Sequence, residues 1–291
     1  ESAQIGYFLR DGGYYWGISD RVDMALRGDI YSKGSFGVKL YSNYKVRYRY
    51  SGNLAVKYAR ILTGEPEIPT HFATNDFFVT WSHVQDPKFN PSIRFSANVN
   101  AGSSSYNTYN ATQTNAYLQN TFQSNVAWSK SWKIGNLSAN LRHNQNIFTH
   151  QVQLGLPQLA FSTNRIYPFR SSSGLSTHWY NKIADKIGFS YQSEFQNNLN
   201  IADSMLTWQH RDYVQTHLQN GIKQSIPVSA SFNVLRYFTL TFAGNANSIT
   251  QFRTIRKTYT IGGINNDSAY VRTDTVNGAS MSLNWNTSAS L

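Results

Sequence analysis

The stretch Ser35-Phe-Gly-Val-Lys-Leu-Tyr-Ser-Asn-Tyr-Lys-Val-Arg-Tyr-Arg-Tyr50 decides the fold class. Its even positions are Phe36, Val38, Leu40, Ser42, Tyr44, Val46, Tyr48 and Tyr50; its odd positions are Ser35, Gly37, Lys39, Tyr41, Asn43, Lys45, Arg47 and Arg49. One set is almost wholly apolar or aromatic, and every cation falls in the other. Successive side chains of a strand point to opposite faces, whereas a helical period would smear both sets around the circumference. The run reads as one strand to Tyr50, more than twice the roughly five or six residues usual in a soluble sheet.

The pattern recurs. Ile93, Phe95, Ala97 and Val99 alternate with Arg94, Ser96, Asn98 and Asn100, and Ile187, Phe189, Tyr191 and Phe195 alternate with polar partners. So do Ile226, Val228, Ala230, Phe232 and Val234, then Ala279, Met281, Leu283 and Trp285. About fourteen such segments are expected, many near the 9–11 residues of a tilted transmembrane strand. Lys33-Gly34, Ser51-Gly52, Ile134-Gly135-Asn136 and Leu235-Arg236 read as tight turns. Longer polar stretches cover Leu62 to Asn75, Gly102 to Asn120, Ser171 to Asp185 and Asn200 to Thr216. Tight turns at one end and long loops at the other are the outer-membrane arrangement. Aromatic groups such as Tyr14-Tyr15-Trp16, Tyr44 with Tyr48 and Tyr50, and Trp128 with Trp132 fit interfacial girdles. The expectation is an all-β, antiparallel transmembrane β-barrel, preferred over a soluble β-sandwich because the polar face carries Arg, Lys, Asn and Gln along its length.

Composition agrees and narrows the function. Of 291 residues 15% are aromatic and only 14% charged, and there is no Cys, so no disulfide framework or thiolate metal site exists. Twenty-six Lys and Arg against 15 Asp and Glu give a net charge of +11, which points to an anionic partner. A mean hydropathy of -0.46 describes a chain that alternation makes look polar, since barrel strands dilute their apolar face. No apolar run reaches the roughly 18 residues a membrane helix needs.

Catalytic and cofactor motifs are absent. His71, His83, His143, His150, His178, His210 and His217 form no HExxH, and no P-loop, GxSxG or GxGxxG occurs. The carboxylate pairs Glu65/Glu67 and Asp20/Asp23 read as solvated loop residues. The reading is therefore not an enzyme, with no cofactor and no metal. Nucleic acid is set aside as partner, because the cations alternate with apolar faces and form no recognisable module. Lys39, Lys45, Arg47, Arg49, Arg94 and Arg142 are the candidate basic lumen face.

Several stretches resemble the lipopolysaccharide-assembly outer-membrane protein family LptD (OstA), in its Bacteroidetes form. They are Gly6-Tyr-Phe-Leu-Arg-Asp-Gly-Gly-Tyr-Tyr-Trp16 with Ile18-Ser-Asp20, Asp23 and Gly28-Asp-Ile-Tyr-Ser-Lys-Gly-Ser35; Trp81-Ser-His-Val-Gln-Asp-Pro87 with Asn90-Pro91; Leu156-Pro-Gln-Leu159 with Arg165-Ile-Tyr-Pro-Phe169; and Asn220-Gly-Ile222 with Ser225-Ile-Pro227. Their order spans Gly6 to Leu240. The resemblance implies a barrel of about 26 strands, of which residues 1–291 would be the N-terminal portion, without the periplasmic jelly roll or the C-terminal strands. It implies lipopolysaccharide as cargo, an LptE-type plug lipoprotein and a periplasmic transport bridge as partners, and an integral outer-membrane location. It also implies a lateral gate through which the lipid enters the outer leaflet. Family members carry Pro in the first two strands; here the matching positions hold Gly13 and Gly28, so Gly12, Gly13, Tyr14, Tyr15, Trp16 and Gly28 are the candidate gate. The alternatives are a general outer-membrane channel or receptor barrel, and a secreted glycan-binding β-protein.

Overall fold

In the computed structural model, Phe36–Val46 forms a strand, β3, that stops short of the expected end. Tyr48 takes a left-handed φ of 59°, Arg49 N–H donates to the Val46 carbonyl at 3.1 Å, and the chain reverses over 47–49. Ser51-Gly52 is therefore inside the next strand, β4 (Tyr50–Thr63), and is not the turn. Alternation could not reveal this, because a two-residue period continues in phase through a three-residue turn.

The structure describes residues 6–64, 72–111, 114–170, 184–234, 238–262 and 268–290. Glu65, Glu67, His71, His178, Leu235-Arg236 and most of the Ser171–Asp185 stretch lie outside them. Ahead of β3 come β1 (Phe8–Ser19) and β2 (Val22–Tyr31). After β4 follow β5 (Phe72–Gln85), β6 (Ile93–Gly102), β7 (Thr121–Ser131), β8 (Gly135–Asn146) and β9 (Gln151–Thr163). Then come a two-residue β10 (Gly188–Phe189), β11 (Gln192–Ala202), β12 (Gln219–Val234), β13 (Phe238–Gly262) and β14 (Ser268–Ser290). The expected strand through Ile187, Phe189 and Phe195 is thus broken at Ser190-Tyr191, where β10 and β11 both pair with β12.

All fourteen strands belong to one antiparallel sheet, in sequence order except that β10 pairs β12 off the main path. Among the described residues β1 and β14 each have one neighbour, so the sheet is open. Short helices sit in the connections: α1 (Tyr106–Asn110) and α2 (Thr114–Tyr117) between β6 and β7, and α3 (Arg211–His217) between β11 and β12. No helix among the described residues is long and apolar enough to cross a membrane.

Contacts divide the chain into two units. The first is Glu1–Ser129, Asn140–Leu156 and Leu199–His217; the second is Lys130–Ala139, Pro157–Asn198 and Leu218–Leu291. In the first unit the tight reversals after β1 and β3 share one end, and the connections holding α1, α2 and α3 share the other. The reversal at Lys33-Gly34 is also at this second end, so short turns are not confined to one side. In the second unit, Trp132–Ile134 joins β7 to β8, with Trp132 N–H on the Gly135 carbonyl at 2.7 Å. The long connection from β9 to β11 leaves from this same tight-turn end: Asn164 N–H donates to the Ile134 carbonyl and its Nδ2 to the Lys133 carbonyl, each at 2.7 Å. The expected segregation of long loops from short turns is corrected there.

In the first unit the apolar face is widely exposed, while the polar face buries carboxylates beside a small apolar cluster of Phe78, Tyr106 and Phe122. On the apolar face Phe36 is 38% and Val38 42% exposed, with Leu26, Ile30, Val56, Tyr58 and Phe77 open as well. On the polar face Asp29 is 6% and Asp76 1% exposed. A soluble sheet would do the reverse, and contiguous exposed apolar surface marks a membrane or partner. At the tight-turn end of the apolar face, Tyr44, Tyr50, Trp81, His83 and Phe95 form one cluster with ring centroids 5.1–6.2 Å apart. The Tyr44 hydroxyl meets both Trp81 Nε1 and His83 Nδ1 at 2.8 Å, so the polar tips are satisfied while the rings stay apolar. Such amphipathic rings suit the headgroup level of a bilayer.

Candidate functional site

β1 and β2 bring all six candidate gate residues together. Gly12 faces Gly28, Gly13 faces Arg27, Tyr14 faces Leu26, Tyr15 faces Ala25 and Trp16 faces Met24. The register of this pair breaks twice, between Leu9 and Gly12 and between Gly17 and Ser19. The β2–β3, β3–β4, β4–β5 and β5–β6 registers run without a break. β1 is exposed along its whole length. Of the seams from β1 to β6 the first is therefore the irregular one; in the second unit the β13–β14 register also breaks once, between Gln251 and Arg253.

The cause of the first break is a bulge. Asp11 adopts a φ of 57°, a left-handed conformation that Asp tolerates better than most residues, and its N–H donates to Asp29 Oδ1 at 2.9 Å. Just beyond, the backbones of Gly13 and Leu26 approach so closely that a Cβ on Gly13 would lie 2.0 Å from the Leu26 oxygen. Gly28 meets nothing nearer than 3.8 Å and Gly12 nothing within 4 Å. Of the three glycines, Gly13 alone is demanded by space.

Beneath this seam on the polar face lies a charge network that the sequence reading missed. Arg27 pairs in register with Lys39, and Lys39 with Lys57, placing three cations in one cross-strand row. Like charges directly opposite are destabilising. Two features compensate. Lys39 Nζ meets Asp29 at 2.7 Å and Asp11 at 3.1 Å, tying β3 to both β2 and the β1 bulge. Tyr41 receives Arg27 at 5.5 Å and Lys57 at 5.9 Å from its ring, and the Phe78 ring receives Lys57 at 5.8 Å. The signal was present: Arg27 and Lys39 are equidistant from the turn at Lys33, as Lys39 and Lys57 are from Tyr48.

The candidate basic face fares unevenly. Lys39 lies on the polar face but is neutralised, with its side chain 16% exposed. Lys45 shares its strand face, nearer the turn. Arg47 and Arg49 leave the sheet in the β3–β4 turn, where Arg49 stacks on Phe89 at 5.3 Å, so they are turn residues and not members of a strand face. Arg94 on β6 and Arg142 on β8 are exposed.

At the loop end, α1 closes over the network. Tyr106 stacks on Phe78 at 5.0 Å, and Phe122 meets Phe78 edge-on at 5.1 Å. Ser105 and Asn110 both donate to the buried Asp76 carboxylate, Asn110 at 3.2 Å. Burial pushes the Tyr106 phenol up to about 12. The space left among Arg10, Asp29, Lys39 and Tyr106 is about 40 Å³, room for a few waters and not for a sugar. Nearby, Asp203 accepts from Ser104 at 2.7 Å and meets His150 Nδ1 at 3.0 Å, so one carboxylate joins three connections. Burial raises its carboxyl, but the Ser104 and His150 hydrogen bonds, the His150 charge and the Ser204 N–H outweigh that and hold it below the ordinary value. Among the described residues no group of His, Asp and Glu could hold a metal ion.

No curated protein matches the chain. The family model described as LptD protein matches residues 1–291, the whole of it. The all-β antiparallel sheet and the exposed apolar face of its first unit agree with an outer-membrane protein of that family. The chain belongs to the LptD family, whose members act in lipopolysaccharide assembly at the outer membrane.

Proposed function

We propose that residues 1–291 form the N-terminal part of a closed outer-membrane barrel, of about 26 strands when complete, that releases lipopolysaccharide sideways into the outer leaflet at β1. The carrying observation is the doubly broken β1–β2 register beside four unbroken ones. A sideways exit needs one strand whose pairing can yield while the rest of the ladder holds. Each break removes ladder hydrogen bonds, and glycines opposite each other at Gly12 and Gly28 contribute no side-chain packing. Each glycine in a strand costs roughly 0.5–1 kcal/mol relative to Ala. On the polar face the Lys39 bridge to Asp11 and Asp29 keeps β1 tethered, so the strand can flex without detaching.

In this mechanism the acyl chains travel along the apolar face while the glycan uses the polar lumen. A lipoprotein plug of the LptE type fills that lumen, and a periplasmic bridge delivers the cargo. Depletion of the full-length protein tests the reading: newly made lipopolysaccharide, labelled in a pulse, stops reaching the cell surface. Undiminished surface delivery in depleted cells overturns it.

A further inference from the structure

The second unit holds a pocket in which, among the described residues, cations outnumber carboxylates three to one. Arg165, Arg170, Lys186, Asp185, Tyr167 and Ser231 line a space of about 380 Å³, open to the polar face of β12. Its position is at the tight-turn end, since Asn164 is bonded to the Lys133 and Ile134 carbonyls. We propose that this pocket binds a phosphate monoester carried on the sugar of a glycolipid. The proposal rests on the lipopolysaccharide reading above.

The pocket is built rather than incidental. Arg165 Nη2 donates to the Ser229 carbonyl at 2.8 Å and to its hydroxyl, and the guanidinium lies over the Tyr167 ring at 5.4 Å. These contacts fix the guanidinium plane, while Nε and Nη1 make no hydrogen bond among the described residues. Arginine presents five donors in a rigid fork suited to phosphate, so a held fork with unused edges is preorganised for it. Gly188 makes the arrangement possible: a Cβ there would lie 2.4 Å from Arg165 Nε and 2.8 Å from the Tyr167 ring. β10 pairs Gly188 with Ser229 itself, so the short strand exists where the arginine is anchored. By contrast, Lys39 in the first unit already has two carboxylate partners and offers little to an anion.

The test uses the full-length protein in detergent with monophosphorylated lipid A and its dephosphorylated form as probes. Arg170→Gln with Lys186→Gln removes two cations but spares the anchored Arg165; Lys88→Gln, in the β5–β6 turn and not among the pocket's lining residues, is the control for charge. The double variant is expected to bind the phosphorylated lipid roughly ten- to a hundredfold more weakly, with the dephosphorylated form and the control unchanged. Competition by millimolar inorganic phosphate assigns recognition to phosphate alone, and failure to compete assigns it to phosphate joined to sugar; either supports the site. Equal binding of the two lipids by wild type, or equal binding of the phosphorylated lipid by variant and wild type, overturns it. Should those results come with a normal depletion phenotype, the pocket alone fails. Surface delivery that persists after depletion fails the broader reading instead.

Discussion

A methyl group on Gly13 would fall 2.0 Å from the Leu26 carbonyl oxygen, whereas one on Gly12 would meet nothing within 4 Å. Gly13→Ala must therefore push β1 off β2, at a cost of about 1–3 kcal/mol as for other overpacked sites. Gly12→Ala, with open space and one strand glycine fewer, should range from neutral to about 1 kcal/mol more stable than wild type. Urea midpoints of the detergent-folded protein, read by heat-modifiable gel migration, separate the two; equal midpoints would remove the close approach from the account. The sequence singled out Gly13 by its place before Tyr14-Tyr15-Trp16. The close approach was not legible, because contact with Leu26 depends on a bulge created by Asp11, and no local pattern announces a left-handed Asp. The same holds for Asp11 and Asp29 as partners of Lys39. Parity placed Lys39 on the polar face, but its neutralisation depends on three strands meeting at one point.

At the scale of elements, strand identity was legible and strand ends were not. The period of two carries through 47–49 in phase, so Arg47 and Arg49 looked like strand residues until the turn was seen. Loop helices such as α1 are too short to leave a periodic trace, and Ser104, His150 and Asp203 belong to connections that sequence distance keeps apart. Their junction predicts a pH dependence. The Asp203 carboxyl is held below its ordinary 3.8, so its contribution is present above that value and is lost as the pH falls through the lower folded one. Amides of 103–111 and 203–206 are expected to exchange faster with solvent at about pH 3 than at about pH 6, after correction for intrinsic rates. Asp203→Asn should lose that difference. A pH dependence undiminished in Asp203→Asn would place the titrating group elsewhere.

At the scale of the whole molecule, the exposed apolar face of the first unit is what connects sequence to membrane. The alternation of Phe36, Val38 and Leu40 with Gly37, Lys39 and Tyr41 already carried it, and the family was legible in ordered motifs from Gly6 onward. What alternation could not supply was which seam is broken, since that is a matter of register between strands. Val56 lies near the middle of β4 on the exposed apolar face. Val56→Arg should cost about 2–4 kcal/mol of barrel stability in lipid, as cations at the midplane of outer-membrane barrels do, and much less in a water-exposed setting. A negligible cost in liposomes would move that face out of the bilayer. The central claim is that β1 yields against β2 during release. Because residues 1–291 hold no Cys, Gly12→Cys with Gly28→Cys introduces a single possible disulfide within them, between facing positions that have room for it. The direct measurement is surface delivery of pulse-labelled lipopolysaccharide in cells carrying this pair, before and after reductant. Delivery slowed while the bond is intact and restored on reduction is the predicted result; delivery at the wild-type rate with the disulfide fully formed would contradict the account.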